Sequence, residues 1–331
     1  MAVIQTADTV PGAGRRRGLD VRSLAASYST IAIFVVLVLV ASFISTSFLS
    51  SRNIENVLRQ VAGTGVISMG MLLVILTGGI DLSVGSVAAL GSITCASLLT
   101  SMSLWSAVPI SLLAGAALGT ISGYFVAVRR MPSFVVTLAC MTIARGIALI
   151  VSEGRPIFMG DNGAWLNDGF NRGSILGIPL PVALMLLVFG VTAFVLRLTA
   201  YGRLIVAIGS NGEAVRLSGV RVTPRVFSVY VISGVLSALA GIIITARSGV
   251  GSPVVGIGME LDVIAAVVIG GASLMGGRGT ALNTLIGVLT LGVIGNIMNL
   301  LNVPGYHQEV VKGVIILVAV LLQSSVWPRR A

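Results

Sequence analysis

The stretch VILTGGIDLSVGS (Val74–Ser86) decides how the chain is read. An apolar run stops at Gly78-Gly79, a carboxylate follows at Asp81, and the sequence turns apolar again after Ser83. Hydrophobic residues make up 56% of the 331 and charged residues only 10%, with 41 glycines. Mean hydropathy is +1.04. A soluble domain carries about 25% charged residues, so this much apolar sequence needs a bilayer as its solvent. In that solvent a helix break is costly: it frees N–H and C=O groups that lipid cannot satisfy, and such backbone survives only inside protein or beside water.

Ten apolar spans are read, at about 29–49, 61–77, 84–100, 105–127, 133–152, 179–198, 225–246, 261–275, 280–301 and 309–326. The second, third and eighth fall short of the roughly 20 residues of a straight crossing. The fold class expected is therefore all-α: a polytopic membrane protein of about ten transmembrane helices, two of them broken at glycine. Residues 1–28 form a tail, 29–326 one membrane domain and 327–331 a second tail. An inner loop covers 199–224 and an outer loop 152–178.

The net charge is +10, and Lys312 is the single lysine beside 20 arginines. Basic residues favour the cytoplasmic side of a membrane. With the Arg15–Arg17 tail inside, fourteen of the 21 basic residues fall on inner segments, among them Arg129, Arg130, Arg203, Arg216, Arg221 and Arg278. Four fall outside: Arg52, Arg59, Arg155 and Arg172. This places both termini in the cytoplasm and makes topology, rather than nucleic-acid binding, the reason for the charge. Trp105, Trp165 and Trp327 lie at span ends or in loops, as an aromatic belt requires. The N-terminal arginines and the first apolar run resemble a signal peptide, but the run is too long and lacks a small-residue cleavage site. An uncleaved first span is expected.

Cys95 and Cys140 both sit in apolar runs and indicate no disulfide framework. The segment SRNIENVLRQVAG before the second span is amphipathic, with Arg52, Glu55, Asn56 and Arg59 on one face. It is either an interfacial helix or an extension of the second span. The outer loop is a loop or a contact for an extracytoplasmic partner.

The opening motif has a counterpart in VIGGASLMGGRGTALNTLIG (Val268–Gly287). Aligning Gly78-Gly79 with Gly270-Gly271 puts Asp81 on Ser273, Leu82 on Leu274 and Ser83 on Met275. Paired glycine-interrupted spans in the two halves of a chain point to a transport pathway. Asp81 and Ser83 suit the N-cap of the following half-helix. Alternatively Asp81 contacts substrate or serves a gate. Asn296, Asn299 and Asn302, spaced i, i+3, i+6, offer amides either to a polyol or to a neighbouring helix.

The inner loop AYGRLIVAIGSNGEAVRLSGVRVTPR (Ala200–Arg225) contains a short capped helix. Ser210 or Asn211 serves as N-cap, Glu213 lies in the first turn, Arg216 near the end, and Gly219 closes it in the left-handed region. Such a helix projecting from a membrane is a lever for a soluble partner. No G-x-x-x-x-G-K-[ST] loop, G-x-S-x-G elbow or metal-ligand cluster occurs; His307 is the single histidine. The chain is not itself an ATPase, and a membrane-embedded enzyme is not expected.

LTGGIDLSVGS, AIGSNGEAVRLSGV and GGASLMGGRGT, in that order, make the whole chain resemble the permease subunits of bacterial ABC importers for monosaccharides, the ribose-type group. The resemblance implies a bacterial inner-membrane location and a second permease copy, identical or not, around one pathway. It implies a separate ATPase subunit that binds ATP and Mg, with no cofactor in this chain, and a periplasmic substrate-binding protein. It places the coupling segment on Asn211, Glu213, Ala214, Arg216, Leu217 and Gly219, and the family signature on Gly78, Gly79, Asp81, Leu82 and Ser83. The mechanism implied is alternating access. The rival reading is an ion-coupled secondary transporter, with Asp81, Arg145, Glu260, Asp262 and Lys312 as relay candidates. Other cargoes within the importer class are a nucleoside, a branched-chain amino acid or autoinducer-2.

Overall fold

The computed structural model describes residues 21–326, with side chains described from Thr30 and only in part beyond Ile315. The N-terminal arginines Arg15–Arg17 and the tail with Trp327, Arg329 and Arg330 lie outside the described residues, as does the side chain of Arg22.

Eleven α-helices make up the described chain. They are α1 (Val21–Ile44), α2 (Ser51–Leu76), α3 (Val84–Leu99), α4 (Leu104–Gly123), α5 (Ser133–Ser152), α6 (Leu180–Leu198), α7 (Ala200–Leu217), α8 (Thr223–Ser248), α9 (Met259–Ile269), α10 (Ala281–Leu300) and α11 (Gly305–Val326). The ten apolar stretches of the sequence each fall on one of these helices. Among the described residues six helices are long and apolar enough to cross a membrane unaided: α2, α4 with its π-helical end to Val128, α5, α6, α8 and α10. At 11 residues α9 is only about 16 Å long, half the hydrocarbon thickness.

Two expectations change. The second span is not short: α2 runs unbroken for 26 residues from Ser51, whose predecessor Ser50 caps it by accepting from Asn53 N–H. SRNIENVLRQVAG is thus the N-terminal extension of α2, because its apolar positions Val57 and Val61 continue the buried face of the span. The inner loop is also mostly helix. α7 begins at Ala200, capped by the Thr199 hydroxyl, and is kinked at Asn211, where φ −161° and ψ 86° leave the helical region.

Helix α8 occupies the centre. Gly115, Gly119 and Gly123 of α4 recur every four residues and abut the carbonyls of Gly234, Tyr230 and Phe227 on α8. Without side chains the two backbones meet directly, which is how membrane helices gain van der Waals energy where lipid supplies no hydrophobic drive. The apolar core groups Val66, Ile67, Leu72 and Ile75 of α2 with Val229 and Tyr230 of α8, Ile205 of α7 and Val267 of α9. Outward-facing residues such as Phe43, Leu113, Ile150 and Leu187 are exposed, the inversion expected of a lipid-facing surface.

Connecting segments collect at the two ends of the bundle. At one end, Ser133 at the start of α5 accepts from Ile80 N–H (3.2 Å), and Gly277 N–H donates to the Leu76 carbonyl (3.0 Å). At the other, β1 (Ile157–Phe158) is linked to β4 (Val250–Gly251) as an antiparallel pair, Arg59 donates to the Asn171 carbonyl, and Asn162 donates to the Leu99 carbonyl. The 152–178 segment is not featureless: it also holds the hairpin β2 (Ser174–Ile175) and β3 (Ile178–Pro179) and a π-helical turn over Trp165–Asn171.

Candidate translocation and coupling site

The opening motif ends α2 in a Schellman motif. Gly78 stands at φ +83°, its N–H donates to the Ile75 carbonyl, and Gly79 N–H donates back to the Val74 carbonyl. Glycine is the residue that adopts this left-handed conformation without a Cβ clash. Gly79 needs its own lack of side chain for a different reason, since the Tyr230 hydroxyl lies against it.

Asp81 is 2% exposed and fully engaged. Its Oδ1 accepts from Ser83 N–H (3.0 Å) and from Ser83 Oγ (2.6 Å), and its Oδ2 accepts from Ser233 Oγ on α8 (2.7 Å). The carboxylate therefore folds the backbone of the break onto itself and staples it to the central helix. Ser83 occupies the N-cap position of α3, but its hydroxyl turns to Asp81 and makes no cap bond. The expected capping by the Ser83 side chain is absent because its backbone, at φ −79° and ψ −11°, is helical rather than extended as an N-cap requires. Leu82 is half-buried beside it.

The second break repeats the backbone geometry one residue later than the sequence alignment suggests. α9 ends with Gly271 at φ +82°; Gly271 N–H donates to the Val268 carbonyl and Ala272 N–H to the Val267 carbonyl. Gly78 thus corresponds to Gly271, and Gly270 takes the place of Thr77. In this register Asp81 falls on Leu274 rather than Ser273. Ser273 Oγ accepts from Met275 N–H (3.3 Å), and its own N–H donates to the Arg278 carbonyl.

In the second half of α7, Asn211 is the N-cap, with Oδ1 accepting from Ala214 N–H (2.9 Å). Ser210 instead donates to the Val206 carbonyl. Glu213 and Arg216 pair at 2.6 Å, and this bond and charge hold the Arg216 guanidinium above its ordinary value. Gly219 at φ +83° closes the helix in another Schellman motif. Glu213, Ala214, Arg216 and Leu217 are all exposed, Leu217 at 79%.

The asparagines of α10 are not one stripe. Asn296 exchanges two side-chain hydrogen bonds with Asn53 at the start of α2 (2.9 and 2.8 Å). Asn299 accepts from Gln308 of α11. Asn302 sits at φ +54° and terminates α10. Asn296 and Asn299 thus bond to neighbouring helices, and Asn302 lies beyond the end of α10.

Arg145 matters more than its sequence context shows. It lies about 10 Å inside α5 from the C-terminal end and donates from Nη1 to the carbonyls of Pro253 and Val255 (2.7 Å for the latter). The segment 250–258 has no helix to satisfy its carbonyls and lies close enough to α3 for Gly256 to abut Gly85. The half-buried arginine supplies donors that this irregular backbone needs. Lys312 of α11 pairs with Asp262 of α9 and with Glu309, both at 3.1 Å. Among the described residues no cluster of histidine, cysteine and acidic side chains that could hold a metal is present.

Six helices long and apolar enough to cross a membrane among the described residues make this a multi-pass membrane protein. The chain belongs to the family described as branched-chain amino acid transport system / permease component, whose model matches residues 53–320. It is similar to the ribose import permease protein RbsC of Haemophilus influenzae, 44% identical over 298 residues, covering 89% of this chain and 92% of that protein. The RbsC protein of Bacillus subtilis is 46% identical over 294 residues, with 88% and 90% covered. The L-arabinose ABC transporter permease protein AraH of Azospirillum brasilense is 37% identical over 295 residues, with 89% and 86% covered. No solved structure matches the chain significantly.

Proposed function

We propose that the chain is the membrane-spanning subunit of a bacterial ABC importer that carries ribose or a closely similar monosaccharide across the inner membrane. The observation that carries this reading is identity of 42–46% to ribose import permeases across 88–97% of the chain. The L-arabinose relatives stand lower, at 36–37%, which favours ribose over arabinose. The family's own description names branched-chain amino acids, and that cargo remains the second arm of the test.

All ten apolar helices, including the short α3 and α9, cross or enter the membrane in this reading, with two halves each broken at a glycine pair. Segments 78–83, 199–224 and 276–279 face the cytoplasm together with both termini, which agrees with the excess of arginine on those segments. The turn 212–217, with Asn211 and Gly219 at its ends, docks a separate ATPase subunit that binds ATP and Mg. The opposite end receives sugar from a periplasmic binding protein, and a second permease copy completes the pathway. ATP binding by the partner switches the pair between outward- and inward-facing states. The glycines at 78, 79, 270 and 271, with Leu82, Ser83 and Ser273, form the flexible backbone beside that pathway; Asp81 anchors it rather than contacting sugar.

An ion-gradient mechanism needs relay groups free to exchange protons or ions. Asp81 is saturated by serine donors, Arg145 by two carbonyls, and Lys312 by Asp262 and Glu309. These engagements favour the ATP-driven reading. Expressed with its ATPase and binding protein in a strain lacking ribose permease, the chain restores uptake of labelled ribose. Uptake of arabinose or leucine, but not ribose, would overturn the cargo.

A further inference from the structure

Three segments that are far apart in the chain touch through backbone alone at the end of the bundle where the exposed turn projects. Gly209, two residues before the kink at Asn211, lies so close to the Leu76 carbonyl that a Cβ there would collide with it, and it would also meet Gly277 N at 2.5 Å. Gly277 N–H donates to that same Leu76 carbonyl at 3.0 Å. Leu76 is the last residue of α2, so this bond satisfies a carbonyl that the helix end leaves open. Gly276 fills the remaining corner: a Cβ on it would stand 2.8 Å from Gly78 N and 3.0 Å from Gly209 Cα. Ser210 completes the contact by abutting Gly277. The end of the first helical half of α7, the end of α2 at the first break and the loop of the second break thus meet at one point.

We propose that Gly209, Gly276 and Gly277, packed on the Leu76 carbonyl, form a rigid backbone junction that makes the docking turn and both helix breaks move as one body. These glycines are positioning residues for transport: they touch neither sugar nor ATPase. Backbone-to-backbone packing leaves no side chain to rotate and absorb a displacement, and close-packed contacts transmit strain rather than deform. A push on 212–217 arrives at Gly209 through a kink whose geometry Asn211 fixes on one side and the junction fixes on the other. The inference rests on the reading that 212–217 docks an ATPase.

The test uses the whole transporter in proteoliposomes with its ATPase and binding protein. Gly209→Ala wedges the junction apart, while Gly190→Ala, at a glycine with open space around it, serves as the control. Gly209→Ala is expected to keep its ATPase on co-purification and to keep basal ATP hydrolysis, yet to lose uptake by about tenfold or more and with it the stimulation of hydrolysis by loaded binding protein. Gly190→Ala keeps all of these. The converse arm guards against a mere folding defect: Ser210→Cys with Met275→Cys, both at exposed positions, is joined by a short bis-maleimide. Parts that already move as one body lose nothing when tied, so the cross-linked protein transports like its single-cysteine parents. Normal uptake by Gly209→Ala, loss of its ATPase, or loss of uptake on cross-linking each overturns the junction. The docking reading is judged separately by Glu213→Arg, which should release the ATPase; if it does not, that reading fails whatever Gly209→Ala does.

Discussion

Asp81 is a charge in a lipid-bound chain whose three hydrogen bonds all come from serines, two from Ser83 and one from Ser233. Removing it strands buried donors, each costing about 1–3 kcal/mol. Asp81→Ala should therefore lower the unfolding temperature of the detergent-solubilised protein and reduce its level in the membrane. Asp81→Asn keeps an acceptor for Ser83 and a polar partner for Ser233, and is expected to insert and transport nearly as the wild type does. Loss of uptake in correctly inserted Asp81→Asn would give the charge itself a role. At Arg145 the same reasoning predicts that Arg145→Leu, which leaves the Pro253 and Val255 carbonyls without their donor, destabilises the protein by a few times ~1 kcal/mol. Arg145→Lys, whose shorter stem does not carry its donors as far as the Nη1 that reaches both carbonyls, recovers only part of that loss in a thermal melt.

Among the elements, the short helix 212–217 depends most on a single side chain. Its N-terminus is held by Asn211 Oδ1 and its end by Gly219. Asn211→Ala removes a cap worth about 1 kcal/mol, so amide exchange over 212–218 should speed up by roughly fivefold, while Asn211→Asp, an equally good cap, leaves it unchanged. Equal exchange in Asn211→Ala would mean that packing, not the cap, holds this turn. The first half of α7 is legible in the sequence: Tyr201, Leu204, Ile205 and Ile208 follow the i, i+3, i+4, i+7 pattern, and Ile205 and Ile208 are buried. The one-residue shift between the two breaks was not legible. Both carry a glycine pair, and only the backbone dihedrals show that the second glycine of one does the work of the first glycine of the other.

For the whole molecule, the decisive property is sidedness. The hairpin between β2 and β3 and the turn 212–217 lie at opposite ends, and each offers a fully accessible leucine, Leu176 at 97% and Leu217 at 79% exposure. In right-side-out vesicles an impermeant maleimide should label Leu176→Cys and spare Leu217→Cys, with the pattern reversed in inverted vesicles. The native Cys95 and Cys140 are buried and should contribute little background. Labelling of both positions from one side would refute the proposed topology.

Composition and apolar run length marked by themselves a helical membrane protein and the glycine pairs at which α2 and α9 end, but not α7 or the true start of α2. These properties are local: lipid demands continuous apolar length, and glycine adopts the left-handed ends at Gly78 and Gly271 without a Cβ penalty. What Arg145, Asn296 and Gly209 do was decided by tertiary structure: their partners stand between 67 and 243 residues away. Asp81 is divided, with Ser83 two residues on and Ser233 supplied only by the packing of α8. A buried polar group is assigned by whichever donor or acceptor the fold brings within reach, and that is settled only when the helices pack.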